Sequence, residues 1–360
     1  MRKDCISTSG LNKNAGMISF RCQFLRVVSI FIFSSLLHPW RLVSQEASIA
    51  PAPGDGQQSQ PIRVSVDRVN VGVLVTDPSG KFAEGLQRQN FHIFDNGVEQ
   101  PITDFLDVVE PAQALVLIEA GPAVYLLEGS HLRAAQEFLR GLSTDDRVAV
   151  VKYADAPQGL VDFTGDKQSV AAAFDSLSFN LGFGSLNLSA SLSKVLDWLT
   201  SVHGKKTIVL LSTGVDTSAT KQIQDLLNRL RTSEVRILAV SLIGDLRNPR
   251  PASKKKSPAP KGALTSQQFA EADMLLRQIA QTTGGQAYFP ANSNELPALF
   301  AHIAQIVRHE FSLAFVPPAH DGAVHSLEVR VTAESGVPAD AAGYRVDCRH
   351  AYVAPAPATQ

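Results

Sequence analysis

The sequence predicts an α/β protein whose doubly wound, mostly parallel central sheet is flanked by helices and joined to a small all-β module. From residue 114 onwards, short continuous apolar runs alternate with amphipathic segments. Runs without polar interruption suit parallel strands buried on both faces, and strand–helix alternation suits a doubly wound sheet. Residues 62–108 instead alternate apolar and polar side chains, which is typical of strands that bury one face.

Residues 1–61 are predicted to precede the folded part of the chain. Basic residues stand before an apolar run at 27–37, so we interpret residues 1–47 as a signal peptide or, as the alternative, an uncleaved N-terminal anchor. The run is shorter than the ~20 apolar residues that span a bilayer, which favours the signal peptide. Residues 48–61 are rich in Pro, Gly and Gln and predict a linker. We therefore expect an exported protein, periplasmic, at the cell surface or secreted. Membrane contact is expected only if the signal segment stays uncleaved.

Residues 62–110 are predicted to form the β-module. Apolar side chains alternate through residues 62–75, and a Pro- and Gly-containing turn at 77–80 ends that strand. The next strand, at residues 91–94, is followed by the sequence DNG at 95–97, which is a strong hairpin signal. These short strands and turns predict a β-only unit ahead of the α/β domain.

Residues 111–316 are predicted to form the α/β domain. Apolar side chains recur at three- and four-residue spacing near 132–142, 223–230 and 296–306, which predicts amphipathic helices. The strands of the central sheet are expected at the apolar runs 115–118, 148–151, 208–211 and 237–240.

A basic, proline-rich segment at 244–262 interrupts this domain. It holds six basic residues against one acidic residue, together with four prolines. Proline at this density prevents a helix and the lysine run repels itself, so we predict an exposed loop. A docking tip for an acidic partner is the alternative interpretation.

After residue 307 the chain returns to a strand-like pattern, first at 311–316 and then within residues 317–352. The pattern leaves open whether these strands extend the central sheet or join the β-module. Residues 353–360 are predicted to be a disordered tail. Cleavage of the signal would remove Cys5 and Cys22, which leaves Cys348 as a lone thiol.

Five stretches of the chain carry a family resemblance. They are VLVTDPSGKFAEGLQRQNFHIFDNGVEQPITDF (73–105), DRVAVVKYAD (146–155), KKTIVLLSTGVDT (205–217), residues 277–315 and GYRVDCRHAY (343–352). In this order they resemble the von Willebrand factor A (VWA) fold and, within it, a VWFA-related bacterial group common in Acidobacteria. The resemblance implies a binding site at the carboxyl ends of the central strands, which agrees with the general rule for open α/β sheets.

The resemblance further implies a metal-ion-dependent adhesion site. In the family this site binds Mg²⁺ through a D-x-S-x-S motif after the first strand, a Thr in a later loop and an Asp after the fourth strand. Carried over by position, the motif falls on Glu119, Gly121 and Ala123, the Thr on Ser185 and the late Asp on Thr213. One carboxylate and two hydroxyls therefore remain of a five-residue set, which predicts a degenerate site.

The degenerate site predicts that the protein holds no metal cofactor. Mg²⁺ demands octahedral oxygen ligands and gives up its water reluctantly, whereas Gly121 and Ala123 offer no side-chain oxygen. Residual Mg²⁺-dependent ligand binding, with Asp216 swinging in as an extra ligand, is the alternative. We expect Glu119 to be a strand-end carboxylate that points to solvent or to a nearby N–H.

The sequence offers little to other function classes. The formal net charge of -1 gives no reason to expect a nucleic acid as partner. The sequence contains neither the H-E-x-x-H motif of zinc proteases nor the G-x-S-x-G motif of serine hydrolases. We therefore predict no catalytic residues and a protein that is not an enzyme.

The predicted function is non-enzymatic binding or adhesion to a protein partner without a metal bridge. The loop-rich face at the carboxyl ends of the strands would contact the partner, with Tyr125, Phe183, Leu186 and Asn187 at its rim. A structural or assembly role in the cell envelope, with the β-module and the α/β domain as one rigid unit, is the alternative.

Overall fold

The computed structural model describes residues 68–109, 111–121, 129–177, 185–247, 265–333 and 336–356, all within one compact unit, Arg63–Gln360. The predicted signal segment and linker, most of the basic loop, the last four residues, and Ala123, Tyr125 and Phe183 lie outside the described residues. None of the helices in the described ranges is long and apolar enough to cross a membrane.

The elements follow the predicted alternation, with strands at both ends of the described chain. The described α-helices are α1 (Ser130–Gly141), α2 (Lys167–Asp175), α3 (Leu188–Leu199), α4 (Thr220–Leu230), α5 (Gly244–Arg247), α6 (Ser266–Thr282) and α7 (Leu296–Arg308). The three helices predicted from the sequence are α1, α4 and α7. The strands are β1 (Val69–Thr76), β2 (Phe91–Asp95), β3 (Val98–Gln100), β4 (Asp104–Val109), β5 (Gln113–Glu119), β6 (Arg147–Tyr153), β7 (Pro157–Thr164), β8 (Lys206–Ser212), β9 (Arg236–Ser241), β10 (Ala287–Tyr288), β11 (His309–Phe315), β12 (Val324–Val331), β13 (Arg345–Asp347) and β14 (Ala351–Val353).

A six-stranded sheet with the order β10-β9-β8-β5-β6-β7 forms the centre of the α/β domain. All neighbouring strands in it are parallel except β6 and β7, which are antiparallel. The predicted doubly wound, mostly parallel sheet is therefore confirmed. The carboxyl ends of β5, β6, β8 and β9 meet at one edge of this sheet, and their amino ends meet at the opposite edge.

The central strands bury both faces, which explains their uninterrupted apolar runs. Val116 and Ile118 of β5 pack into one core together with Phe138 of α1 and Phe300 of α7. Leu115 and Leu117, which alternate with them along β5, pack into a second core on the other face, which α3, α4 and α6 cover. A helix layer on each face leaves no side of the strand for polar residues.

The remaining strands form a β-sandwich of two four-stranded sheets, with the orders β13-β1-β11-β4 and β14-β12-β2-β3. Strand β12 alternates strictly between exposed and buried residues, as expected for a strand with one solvent-exposed face. The strands after residue 317 therefore join the β-module and do not extend the central sheet. Cys348 lies buried in the sandwich core, and burial raises the pKa of its thiol to about 11.

The α/β domain is inserted into this sandwich. The chain leaves the sandwich after β4 and returns to it in β11, which begins directly after α7. These two strands are antiparallel neighbours, with His309 opposite Val109 and Ala314 opposite Asp104. Strand β11, which the sequence pattern groups with the α/β domain, thus belongs to the sandwich by its pairing with β1 and β4.

A cluster of charges with little solvent exposure joins the sandwich to the amino-end edge of the central sheet. Glu310 of β11 forms ion pairs with Lys205 at 2.7 Å and with Arg236 at 2.6 Å. We call these three residues the junction triad. Burial alone would raise the pKa of Glu310, but Arg236 and Lys205 hold it below its ordinary value. A Cβ atom on Gly72 of β1 would lie 1.6 Å from Glu310 Oε1, so the triad requires glycine there.

Candidate functional site

The candidate site lies where β5, β6 and β8 end side by side. Glu119 is the last residue of β5 and stands opposite Tyr153, the last residue of β6. Ser212 ends β8, and Thr213 follows it. Because parallel neighbours end at the same edge of the sheet, four polar side chains meet beneath the loops.

The Glu119 carboxylate is buried and accepts hydrogen bonds at one oxygen, Oε2. Thr213 donates to it twice, from its backbone N–H at 2.7 Å and from its hydroxyl at 2.8 Å. The hydroxyls of Ser212 and Tyr153 lie at 3.1 and 3.3 Å from the same oxygen. The structure thus brings the predicted site residues Glu119 and Thr213 into direct contact.

A second layer of donors holds these hydroxyls in place. The Tyr153 hydroxyl donates to Ser212 Oγ at 2.7 Å, and the backbone N–H of Gly214 donates to the same atom at 2.9 Å. The backbone N–H of Val215 donates to Thr213 Oγ1 at 3.2 Å. We call Glu119, Tyr153, Ser212 and Thr213 the carboxyl-end network.

Burial dominates the electrostatics of this network. Desolvation raises the pKa of Glu119 above its ordinary value, and the hydrogen bonds from Thr213, Ser212 and Tyr153 offset part of that rise. Desolvation also raises the pKa of Tyr153. The other Glu119 oxygen, Oε1, is buried and has no hydrogen-bond partner within the described part of the chain. Of the two orientations expected from the sequence, the carboxylate adopts the one toward an N–H.

Ser185 contacts a different carboxylate. Its hydroxyl donates to Asp155 Oδ1 at 2.7 Å, and the Asn187 amide donates to the same oxygen at 2.5 Å. Asp155 follows β6 and therefore ties the loop before α3 to the end of the neighbouring strand. Ser185 lies at the predicted edge of the sheet, but its hydrogen bond goes to Asp155 and not to Glu119.

Asp216 is also engaged within the chain. Its Oδ2 accepts hydrogen bonds from the backbone N–H of Ser189, at 2.9 Å, and from the Ser189 hydroxyl. Its Oδ1 accepts from the backbone N–H of Ser218 at 2.9 Å. Asp216 thereby caps the first turn of α3, where negative charge is favourable.

Gly121 lies between the network and the loop before α3. A Cβ atom on Gly121 would lie 3.0 Å from Glu119 Oε1 and 3.1 Å from Leu186 Cδ2. The carbonyl of Leu186 accepts hydrogen bonds from both the N–H and the hydroxyl of Thr217. The loops after β5 and β8 and the loop before α3 therefore converge. Leu186 and Asn187, predicted at the rim, are half-buried in this arrangement.

The oxygen atoms available as metal ligands at this site do not fit a magnesium ion. Glu119 Oε2 is surrounded by hydrogen-bond donors, Gly121 has no oxygen to offer, and Ser185 is bound to Asp155. Mg²⁺ requires about six oxygen ligands, and Glu119 Oε1 alone does not approach that number. The described ranges contain no group of three or more His, Cys, Asp or Glu side chains placed to hold a metal ion.

The sequence analysis did not assign a role to Tyr153, Ser212 or Asp155. The sequence feature that could have identified them is their position, because each stands at or just after the end of a predicted parallel strand. Neighbouring parallel strands bring such residues to one edge even when they are far apart in sequence. Adding every polar strand-end residue to the candidate set would have found all three.

Comparison with protein families identifies the central part of the chain. Residues 130–302 match the family model of the von Willebrand factor type A domain. The matched residues begin after Glu119 and Gly121, so the first part of the candidate site precedes them. The family resemblance in the sequence is thereby confirmed, while the narrower bacterial group stays a prediction. A search of curated proteins finds no match.

Solved structures of similar proteins were also found. An aerotolerance-related membrane protein from Bacteroides fragilis is 14% identical, with a TM-score of 0.39 over 54% of this chain and 98% of that one. A von Willebrand factor type A protein from Catenulispora acidiphila is 9% identical, with a TM-score of 0.42 over 81% and 75%. The vWF domain of the type V pili tip protein Mfa5 from Porphyromonas gingivalis is 14% identical, with a TM-score of 0.37 over 56% and 96%. At TM-scores below 0.5 these likenesses carry no argument about function.

Proposed function

We propose that this chain, whose residues 130–302 form a von Willebrand factor type A domain, is an exported, non-enzymatic protein that binds a protein partner without a metal bridge. Domains of this family are in general interaction domains without catalytic activity. The partner would contact the loops at the carboxyl ends of β5, β6 and β8. Export is proposed from the apolar run at 27–37.

The carboxyl-end network is the observation that carries this proposal. The Thr213 and Ser212 hydroxyls and the Thr213 N–H already satisfy the carboxylate oxygen that faces the loop after β8. A hydrogen-bonded network of this kind fixes the loops without a cation. The face it supports would then bind its partner by shape and hydrogen bonds.

The other carboxylates near this face support the same proposal. Asp155 and Asp216 each accept hydrogen bonds from neighbouring loops or from the start of α3. Carboxylates used in this way stabilise loop conformations. A non-enzymatic binding surface therefore agrees better with their geometry than a catalytic site does.

A structural role in the cell envelope is the second candidate function. The observation that favours it is the insertion of the α/β domain into the sandwich, with the junction triad buried between them. Two attachment strands and the junction triad would hold the two parts together as one rigid unit. A rigid body suits an assembly component as well as a binding protein.

The test is a capture experiment with the full chain and an envelope extract of the source cells. We compare wild type with Ser185→Arg, which places a bulky cation on the exposed loop face, and with the matched control Ser201→Arg, after the far end of α3. Captured proteins are quantified by mass spectrometry in Mg²⁺ and in EDTA. We expect one partner to be captured equally in both buffers, retained by Ser201→Arg and lost by Ser185→Arg.

Each alternative has its own outcome. Capture that disappears in EDTA would contradict the metal-free mode and support residual Mg²⁺-dependent binding. Capture that survives Ser185→Arg but is lost with Val98→Arg, at an exposed position on the edge strand β3, would support the structural role.

A further inference from the structure

A cleft opens at the end of the central sheet opposite to the candidate site. It lies between the sandwich and the amino ends of β8 and β9, and its volume is about 610 Å³. Small-molecule sites in proteins commonly have volumes of about 300–1,000 Å³ and commonly lie between structural units. The cleft therefore has the size and the position of a ligand site.

The lining of this cleft is positively charged. Lys205, Lys206, Arg236 and Arg349 line it, against the two carboxylates of Glu234 and Glu310, so it carries two more positive than negative charges. The sequence as a whole has a net charge of -1. The excess is thus local, and clefts lined by one sign of charge concentrate ions of the other sign.

The buried cations in the cleft are only partly compensated. Glu310 is shared between Lys205 and Arg236, and the Nε and Nη1 atoms of Arg236 are buried without a hydrogen-bond partner in the described ranges. Arg349 is 9% exposed and donates to the backbone carbonyl of Asn70 at 2.6 Å. Among the described ion pairs none involves Arg349. Lys205 and Arg236 thus share Glu310, and the carboxylate whose charge acts on Arg349 is Glu234.

The cleft also has an apolar part. Leu106 of β4 is 50% exposed, and Val202 lines the cleft from the loop before β8. Ser233 and Ser312 also line the cleft, and the Ser312 hydroxyl is able to donate a hydrogen bond to an anion. A ligand with one anionic end and one apolar end would match this lining.

We propose that this cleft binds a small organic phosphate, whose phosphate group faces Lys206, Arg236 and Arg349 and whose organic part faces Leu106 and Val202. A phosphate ester carries about -1.5 to -2 charges at pH 7, which matches the excess of two positive charges in the lining. The site is separate from the proposed protein-binding face, so either can fail without the other. Because both parts of the molecule line the cleft, bound ligand would also stabilise their junction.

The first experiment titrates the full chain with inorganic phosphate and with phenyl phosphate by isothermal calorimetry at constant ionic strength. We expect saturable one-to-one binding of both, tighter for phenyl phosphate, and no binding of phenol. Absence of saturable binding up to about 20 mM of either anion would overturn the proposal. Equal affinities would overturn the role of Leu106 and Val202.

The second experiment uses a matched pair of variants at Ser233, whose hydroxyl accepts a hydrogen bond from Val235 N–H at 3.1 Å. Asparagine and aspartate can both replace that acceptor, but only aspartate adds a negative charge. We expect Ser233→Asp to weaken phosphate binding at least about fivefold, and Ser233→Asn to leave it unchanged. Equal affinities of the two variants would overturn the proposal.

A charge-matched pair keeps the test valid if Ser233→Asp does not fold. Lys206→Gln removes one cation from the cleft, and Lys221→Gln removes one from an exposed position at the start of α4. We expect weaker phosphate binding only in Lys206→Gln, with recovery in Lys206→Arg. Circular dichroism melts of each variant distinguish loss of binding from loss of fold.

Discussion

Two glutamates with little solvent exposure lie beside opposite edges of the same central sheet, Glu119 fully buried and Glu310 with 11% of its side chain exposed, and their environments differ. Glu119, at the carboxyl ends of the strands, is surrounded by neutral hydroxyls and one N–H. Glu310, beside the amino ends, lies between Lys205 and Arg236. Burial raises the pKa of Glu119, whereas the two cations hold the pKa of Glu310 below its ordinary value despite burial.

The difference shows that burial alone does not decide the charge of a carboxyl group. Desolvation disfavours the charged form at both positions; hydrogen bonds offset part of that effect at Glu119, and the two cations reverse it at Glu310. The carboxyl-end network therefore connects loops by hydrogen bonds that tolerate loss of charge. The junction triad depends on charge, since removal of Glu310 would leave Lys205 and Arg236 without the carboxylate that both of them pair with.

The largest effect is expected from breaking the junction triad. Glu310→Gln leaves Lys205 and Arg236 without their carboxylate, and loss of one partner from a buried ion cluster costs about 3–5 kcal/mol of unfolding free energy. Urea denaturation measures the loss. The matched control is Glu328→Gln, which breaks an exposed pair with Arg330 and should change stability by about 1 kcal/mol or less. Equal losses in both variants would show that the triad does not hold the junction.

A smaller effect, of opposite sign at the two edges, is expected in the pH dependence of stability. Because the pKa of Glu119 is raised in the folded state, its contribution to stability is fully present at a pH below 4.5, the ordinary pKa. That contribution is lost as the pH rises through the pKa of the folded state. The lowered pKa of Glu310 means that its contribution is present above 4.5 and is lost as pH falls through the folded value. Unfolding free energies measured from acid to neutral pH should therefore lose their downward slope above 4.5 in Glu119→Gln. In Glu310→Gln they should lose their upward slope below 4.5. If the two variants removed slopes of unfolding free energy against pH that had the same sign, the result would contradict the electrostatic environments assigned to Glu119 and Glu310.

The smallest effect is expected from Mg²⁺, which should leave the melting temperature of wild type unchanged at millimolar concentration. A ligand that binds only the folded state at 100 times its Kd would add about 2.7 kcal/mol, so a real site would be visible. The control restores the family pattern with Glu119→Asp, Gly121→Ser, Ala123→Ser and Thr213→Asp. Aspartate is shorter, which removes the 3.0 Å contact between the Glu119 carboxylate and the Cβ of the new serine, and the flexible end of Leu186, at 3.1 Å, has to shift. A Mg²⁺-dependent shift in wild type as large as in this variant would refute the degenerate site.

The central sheet was readable from sequence because its strands are buried on both faces. Val116 and Leu117 point into different cores, so the run at 115–118 contains no polar residue. Strand β7 gives no such run, since it is the antiparallel edge of the sheet and every one of its residues is at least partly exposed. Strand β7 was therefore not predicted from the apolar runs in the sequence.

The strands of the sandwich could be predicted from the sequence, but their pairing could not. Alternation predicts its strands but does not say which strands pair. The side chain of Asn90 donates to the carbonyl of Thr332, and Phe91 stands opposite Val331, across most of the chain. Pairing over such a distance depends on the complete fold, so the partner of residues 317–352 stayed open until the structure gave the register.

The candidate site was predicted by position but not in its contacts. The family resemblance placed Glu119 and Thr213 at the same edge of the sheet, and they are in contact there. The sequence could not show that the glutamate turns inward and that Ser185 bonds to Asp155. Those choices depend on side-chain length and on the neighbours that each loop brings, which no local pattern contains.

The insertion of the α/β domain between two paired strands has a mechanical consequence. Both ends of the described chain lie in the sandwich, and six residue pairs from His309–Val109 to Ala314–Asp104 clamp the base of the inserted domain. Tension applied to the two ends is therefore borne first by the sandwich strands, while this clamp keeps the central sheet unloaded. The loops that carry the candidate site would keep their shape under a pull that has already begun to shear the strands outside them.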